Sequence, residues 1–204
     1  MERAGTRRGS MWVSDRACSA DSTSWTESGR VGGAMVDTAA MTPDDLVEIE
    51  AIKRLKYRYL RGLDQKDWAA VESCFTEDAT AAYSGGKYAF GSRAEILDFL
   101  TRSMGAETFL SSHRCHHPEI DLTSARTAVG TWALEDVVID TTWDITIRGA
   151  AFYTDEYVKD EGVWQIKTTG YKRSYEEIQP RGSVPGLKLT ASWWATDGRS
   201  MLDA

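Results

Sequence analysis

The stretch Thr131-Trp132-Ala133-Leu134-Glu135-Asp136-Val137-Val138 alternates large apolar side chains with small or polar ones. A period of two is typical of a β-strand that packs one face on a core. The side chains that share the apolar face are Trp132, Leu134, Asp136 and Val138. The same alternation runs from Thr108 onward, with turn residues at 123–124 and 160–162. The pattern predicts an antiparallel meander whose strands span about 108–121, 126–139, 146–159 and 163–176.

Helical patterns precede this meander. Thr42-Pro43-Asp44-Asp45 supplies an N-cap, a proline for the first helical position and two acidic residues for the positive end of the helix dipole. The apolar residues that follow it at helical spacing are Leu46, Ile49, Ile52, Leu55, Tyr59 and Leu63. The sequence therefore predicts one long amphipathic helix that ends near Asp64.

Two shorter helices and a hairpin are predicted between the long helix and the meander. One helix runs from about Asp67 to Cys74, and the other follows the capping-box sequence Ser92-Arg93-Ala94-Glu95. Between them, residues 79–83 and 87–90 flank Ser84-Gly85-Gly86 and are typical of a hairpin. Helices followed by an antiparallel meander predict an α+β domain with its helices packed on one face of a curved sheet.

Length and composition limit the possible classes of protein. The 204 residues suit one well-buried core, with 42% hydrophobic and 27% charged residues. A net charge of −7 argues against nucleic acid or an anionic membrane as the partner, and no apolar run approaches the length of a membrane helix. The three cysteines form no close pair, which favours free thiols and a cytoplasmic location.

The predicted domain does not fill the chain. Residues 1–40 are rich in Ser, Thr, Gly, Arg and Asp and lack periodic apolar positions. They are interpreted as a disordered leader, or as the product of a start codon assigned too early, with initiation at Met35 or Met41. Residues 41–178 form the expected domain, and residues 179–204 form a C-terminal tail.

All three histidines fall between Ser112 and Pro118, so any chemistry that uses imidazole as an acid or base must lie there. Strand alternation places His113, Cys115 and His117 on one face and His116 on the other, unless a bulge intervenes. Because His116 and His117 point to opposite faces, a shared metal ion is disfavoured. An alternative is that these imidazoles only satisfy polar groups of the core.

Three charged residues stand in unusual places. Asp64 follows Leu63 at the negative end of the predicted helix dipole, where a carboxylate needs a partner such as histidine. Asp136 shares a face with apolar side chains, which indicates a sheet edge or a pocket. Arg173 shares its strand face with Tyr171 and Tyr175.

Taken in order, several blocks resemble the SnoaL-like branch of the NTF2-like superfamily, and within it the bacterial bile acid 7α-dehydratases. The blocks are Ile52–Tyr59, Leu63-Asp64, Trp68, His113–Ile120, Trp132–Asp136, Gly149–Tyr157 and Thr169–Arg173. The resemblance covers about residues 48–177. It implies a cone-shaped α+β barrel around an apolar pocket, with the catalytic residues of the dehydratase at Tyr59, Asp64, His113, Asp136 and Arg173.

These five residue types suit proton transfer. Asp64 would hold the His113 imidazole in one tautomer, so that His113 takes a proton activated by a carbonyl group. Tyr59 would donate a hydrogen bond to the enolate oxygen or to the departing hydroxyl. Asp136 and Arg173 would pair and orient the substrate. The residues expected to contact the substrate are Cys115, His116 and Tyr171.

The resulting hypothesis is a dehydratase without cofactor or metal, which acts on a hydroxylated steroid or another polycyclic ketone. An isomerase or polyketide cyclase would use the same residues, and a non-catalytic NTF2-like module would bind an apolar ligand in the same cone. Cys115 stands where the dehydratase has glycine, and residues 140–148 and the tail with Trp193-Trp194 also differ, which affects the expected substrate. Relatives assemble through the outer sheet face, so a homodimer or homotrimer is expected.

Overall fold

The computed structural model describes residues 41–202, and the predicted leader lies outside the described residues. Within them the chain forms three α-helices, six β-strands and two single 3-10 turns. The helices are α1 (Pro43–Gln65), α2 (Trp68–Ser73) and α3 (Arg93–Met104). The strands are β1 (Phe75–Tyr83), β2 (Tyr88–Phe90), β3 (Phe109–Ser124), β4 (Thr127–Asp140), β5 (Ile145–Asp160) and β6 (Val163–Pro180). The order of helices and strands predicted from the sequence is confirmed.

The helix caps form largely as their sequences indicate. Thr42 and Asp45 close a reciprocal capping box at the start of α1, with the Asp45 N–H donating to the Thr42 hydroxyl at 3.2 Å. At α3, Ser92 accepts from the Glu95 N–H, but the Glu95 carboxylate accepts from the N–H of Gly91, one residue before the cap. Both arrangements satisfy backbone donors that the first helical turn leaves unpaired.

One mixed sheet contains all six strands, in the order β2-β1-β6-β5-β4-β3. Strands β3 to β6 form the predicted antiparallel meander, and β1 with β2 forms the predicted hairpin. The hairpin joins the meander through a parallel pairing of β1 with β6, which alternation along single strands does not reveal. The sheet is not closed, because β2 and β3 each have one neighbour only.

The core lies between the helices and the inward face of the sheet. Its largest buried apolar side chains are Ile52, Tyr59, Phe75, Ile96, Trp132, Tyr157 and Ile166. Burial of each large apolar side chain contributes about 1.5–3 kcal/mol, so this cluster is the main force that holds α1 against the sheet. No helix in residues 41–202 combines the length and apolar character that crossing a membrane requires.

A bulge in β3 alters the expected face of one histidine. The register of β3 on β4 shifts between His116 and Glu119, and His117 adopts a positive φ of 27°. His113 and Cys115 are partly buried on the inward face, whereas His117 is exposed. The bulge is the exception that the sequence left open: its extra residue interrupts the alternation, so His117 does not follow His113 onto the inward face.

Candidate active site

Asp64 and His113 meet where the last turn of α1 passes the edge strand β3. Helix α1 ends at Gln65 and is capped by Lys66, which adopts a left-handed conformation with φ 56°. The Asp64 carboxylate accepts three hydrogen bonds: from His113 Nδ1 at 2.7 Å, from the His113 N–H at 2.9 Å and from the Ser111 hydroxyl at 2.8 Å. These donors offset the unfavourable position of a carboxylate at the C-terminal end of a helix. We call Asp64 and His113 the dyad.

The environment of the dyad keeps the carboxylate ionised. Partial burial of Asp64 raises its pKa, but the hydrogen bonds and the charge of His113 outweigh burial and hold the pKa below its ordinary value. Because an ionised carboxylate only accepts, the proton of a neutral His113 ring lies on Nδ1 and the lone pair on Nε2. Within residues 41–202, Nε2 has no hydrogen-bond partner. The dyad therefore presents a free basic nitrogen.

Asp136 and Arg173 form the predicted pair. Both terminal nitrogens of the Arg173 guanidinium donate to the two oxygens of Asp136, Nη2 to Oδ2 at 2.9 Å. The Asp136 side chain is 4% exposed and that of Arg173 20% exposed. Burial disfavours the Arg173 cation, but the bond to Asp136 outweighs it and raises the pKa of Arg173. The pair therefore remains charged, with its geometry fixed by two parallel hydrogen bonds.

Gly149 makes room for this pair. It lies between Asp136 on β4 and Glu176 on β6, and a Cβ atom there would come within 2.7 Å of Arg173 Nη1. The same Cβ would lie 2.9 Å from the carbonyl oxygen of Tyr175. Any larger residue would thus displace the guanidinium from Asp136.

The dyad and the arginine pair belong to one row across the sheet. His113 and Asp136 are directly opposite each other on β3 and β4, so their side chains share the inward face. The His113 N–H donates to Asp64 and not to β4, which makes this a non-hydrogen-bonded pair with Cα atoms about 4.5 Å apart. Four of the five predicted catalytic residues are therefore adjacent.

Tyr59 reaches the same row indirectly. Its hydroxyl lies 3.2 Å from the Tyr83 hydroxyl, and the Tyr83 ring stacks on Tyr171 with centroids 5.6 Å apart. The Arg173 guanidinium in turn lies 5.2 Å from the Tyr171 ring centroid. Burial, followed by the neighbouring Tyr83, raises the pKa of Tyr59 well above its ordinary value, so the phenol is a donor and not a base. Tyr59 makes no hydrogen bond to Asp64 or His113 among the described residues.

The three predicted substrate contacts separate into two groups. Cys115 and Tyr171 are partly buried against the core, and burial raises the pKa of the Cys115 thiol to about 11. His116 points outward, is about half exposed, and lies 3.8 Å from Glu135. His116 nevertheless lines the same groove between α1 and β3 as His113 and Cys115, whereas Tyr171 does not.

A buried polar network beneath the site was not anticipated from the sequence. Lys56 donates to Asp155 at 2.7 Å, and both side chains are fully buried. Asp155 also accepts from Tyr157 at 2.7 Å and from Thr169 at 2.6 Å. The ammonium group of Lys56 lies 3.5 Å from the Tyr153 ring centroid. The signal was present: Lys56 follows Ile52 by four residues on the apolar stripe, and Asp155 shares an inward strand face with Tyr157.

The dyad opens into a groove between α1 and β3, with a volume of about 620 Å³. It is an open cleft whose lining includes Leu60, Asp64, His113, Cys115 and Trp193. We call it the dyad groove. Trp193 comes from the C-terminal tail, where the sequence differs from the dehydratases and gives no other sign of a place at the site.

Helices packed on a mixed sheet, with a histidine–carboxylate dyad on the inner face, define the class of NTF2-like α+β proteins. Within that class, the chain belongs to the SnoaL-like domain family, whose model matches residues 44–170. The predicted family is confirmed.

Solved structures share this fold at low sequence identity. A protein provisionally named a scytalone dehydratase, from Novosphingobium aromaticivorans, is 22% identical, with 65% of this chain and 88% of that chain covered and a TM-score of 0.61. A hexachlorocyclohexane dehydrochlorinase from Novosphingobium barchaimii is 20% identical over 72% of this chain and 96% of that chain, with a TM-score of 0.62. ActVI-ORFA from Streptomyces coelicolor is 17% identical over 63% and 98%, with a TM-score of 0.54. At these identities the likeness establishes the fold.

Proposed function

We propose that this chain is a cofactor-independent dehydratase, a lyase that removes water from a hydroxylated steroid or another polycyclic ketone. The observation that carries the proposal is the dyad: His113 Nδ1 lies 2.7 Å from Asp64, and Nε2 has no partner among the described residues. A non-catalytic binding module needs no such pair. The two fold relatives named as a dehydratase and a dehydrochlorinase support an elimination reaction.

The reaction begins with proton abstraction. His113 Nε2 takes a proton from a carbon that the substrate carbonyl activates, directly or through the conjugated double bond, and the electron pair of the broken C–H bond moves into the enolate. Asp64 stabilises the imidazolium that forms, since its carboxylate already accepts from Nδ1. The conjugated ketone thus serves as the electron sink.

Loss of water completes the step. The enolate electrons form the new carbon–carbon double bond as the C–O bond to the hydroxyl breaks, and the proton held by His113 passes to the departing oxygen. Tyr59, whose raised pKa keeps it protonated, supports the enolate oxygen through its hydrogen bond with the Tyr83 hydroxyl. The Arg173–Asp136 pair holds the substrate in register with His113. No other reactant is needed, because the proton that His113 takes leaves with the hydroxyl group as water.

The proposal is tested by incubating the protein with a panel of 3-oxo-4-ene hydroxysteroids and following absorbance and mass. The expected product is more conjugated than the substrate and lighter by one water. His113→Ala and Asp64→Asn should lower turnover by about 10²- to 10⁴-fold, the range that general-base catalysis contributes. His117→Asn is the matched control, because His117 is exposed beyond the bulge and tolerates a left-handed residue.

Unchanged turnover in both dyad variants would overturn the assignment of the base. A product with the mass of the substrate would indicate the alternative isomerase or cyclase, which uses the same proton transfer without loss of water.

A further inference from the structure

The C-terminal tail packs onto the residues that position the dyad. Trp194 lies over Lys66, with the ammonium group 5.3 Å from its ring centroid, and Lys66 donates to the carbonyl oxygen of Phe109 at 2.8 Å. Lys66 caps the helix that carries Asp64, and Phe109 begins the strand that carries His113. The tail is therefore attached at the junction of the two dyad elements.

The tail is held in a defined loop. The Thr196 hydroxyl accepts from the Ser192 N–H at 3.0 Å, and the Gly198 N–H donates to the Ser192 carbonyl oxygen at 3.0 Å. The Met201 N–H donates to the carbonyl oxygen of Thr190 at 2.7 Å. These bonds fold residues 190–201 back on themselves, with Trp193 and Trp194 in the first turn. The Trp193 indole is thereby presented from a constrained backbone.

Trp193 is a large aromatic surface without an internal packing role. It lines the dyad groove together with Asp64, His113 and Cys115, yet 58% of the residue remains exposed. Its ring meets Trp194 at a steep angle, with centroids 6.5 Å apart, and more than half of the residue stays open at the groove. An exposed indole beside a basic nitrogen suits a flat apolar ligand, because such a ligand buries the indole face without any polar group left unpaired.

We propose that Trp193 is the outer wall of the substrate site and selects planar polycyclic substrates by stacking. The family model ends at residue 170, so this wall lies outside the part of the chain that matches the family. The inference rests on the proposed function for the identity of the groove as the substrate site. Trp193 acts on binding and leaves the proton transfer to the dyad.

The first test measures binding of androst-4-ene-3,17-dione, a planar 3-oxo-4-ene steroid with no hydroxyl group to lose, by isothermal titration calorimetry. Trp193→Ala should weaken binding about tenfold, the loss expected for one aromatic contact, and Trp193→Phe should retain most of the affinity. Trp143→Ala is the matched control, since Trp143 is 41% exposed but lies outside the dyad groove. Equal affinity for Trp193→Ala and the control, or no binding by the unmodified protein, would overturn the inference.

The second test needs no ligand. Diethyl pyrocarbonate acylates accessible imidazoles, and mass spectrometry resolves the modified histidines. If Trp193 restricts access to the groove, diethyl pyrocarbonate should acylate His113 several-fold faster in the Trp193→Ala variant. The rate of acylation of His117 in the same molecule should stay unchanged. An unchanged rate at His113 would show that Trp193 does not shield the dyad and would overturn the inference.

The experiments distinguish failure of the dehydratase proposal from failure of the proposed role of Trp193. A protein that binds the steroid through Trp193 but converts no hydroxysteroid contradicts the dehydratase and leaves the wall intact. A protein that eliminates water with an unchanged kcat/KM in the Trp193→Ala variant contradicts the wall alone.

Discussion

The Lys56–Asp155 pair and the Asp64–His113 dyad both lie on the inner side of this sheet, and they differ in how completely they are enclosed. Lys56 and Asp155 are both fully buried, and Asp155 has three donors. Asp64 and His113 keep 23% and 11% of their side chains exposed, and the outer nitrogen of His113 is free among the described residues. The enclosed pair is suited to hold the structure together, whereas the open pair can exchange a proton with a ligand.

The largest expected effect concerns the enclosed pair. Asp155→Asn leaves the Lys56 ammonium buried without its counter-charge, so the free energy of unfolding should fall by about 3–5 kcal/mol. Urea denaturation followed by circular dichroism measures it. Adding Lys56→Met to Asp155→Asn removes the stranded charge and should recover part of the loss. A loss below about 1 kcal/mol in the single variant would contradict the proposed difference between the pairs.

A smaller effect is expected at Gly149. Gly149→Ala places a methyl group against Arg173 Nη1 and the Tyr175 carbonyl oxygen. Overpacking of this kind costs about 1–3 kcal/mol, and displacement of Arg173 should also lower turnover. Gly91→Ala is the control, because its nearest contact is an ordinary 3.8 Å to Glu95. Equal stability and activity in the two alanine variants would show that Arg173 does not need the space above Gly149.

The open pair should contribute less to stability, and its contribution should depend on pH. Asp64→Asn is expected to cost about 1 kcal/mol at neutral pH, typical of a hydrogen-bonded group that water still reaches. The folded protein lowers the pKa of Asp64 below its ordinary 3.8, so the ionised group stabilises the fold above pH 3.8. That contribution is lost as the pH falls through the lower folded pKa. The stability difference between the native protein and Asp64→Asn should therefore shrink below about pH 4, and a difference that widens with acid would contradict the sign of the shift.

The smallest effect is expected at the bulge beside the open pair. His117 carries a positive φ of 27°, a conformation that glycine adopts more easily. His117→Gly relieves that strain but adds entropy to the unfolded chain, so stability should change by less than about 1 kcal/mol. His116→Gly, one residue earlier in regular strand, should be clearly destabilising. A larger loss of stability in His117→Gly than in His116→Gly would show that the backbone at His117 is unstrained.

Much of the fold could be predicted because local patterns specify it. The capping residues Thr42 and Ser92 and the alternation around Trp132 each act over a few residues, and the structure uses all three. The parallel pairing of β1 with β6 joins residues about ninety positions apart, such as Ala82 and Gly170. Alternation shows which face of a strand is buried but not which strand is its neighbour.

The candidate site, too, could be predicted only where a local signal in the sequence marks a residue. A carboxylate at the end of a helix dipole requires a partner, and that requirement pointed to Asp64. The face of His117 depended on whether a bulge interrupts β3, and no local signal marked the additional residue that reverses the alternation. Lys56 and Asp155 were overlooked because charged side chains are expected at the surface, although both occupy apolar positions of their periodic patterns.

The place of β6 has a consequence for synthesis. The last strand of the chain lies in the middle of the sheet, between β1 and β5. Until residue 163 and those after it leave the ribosome, β1 and β5 each present an unpaired edge, and the sheet remains in two pieces. A nascent or truncated chain that stops before β6 therefore exposes two strand edges in addition to the outer edges of β2 and β3, which favours aggregation.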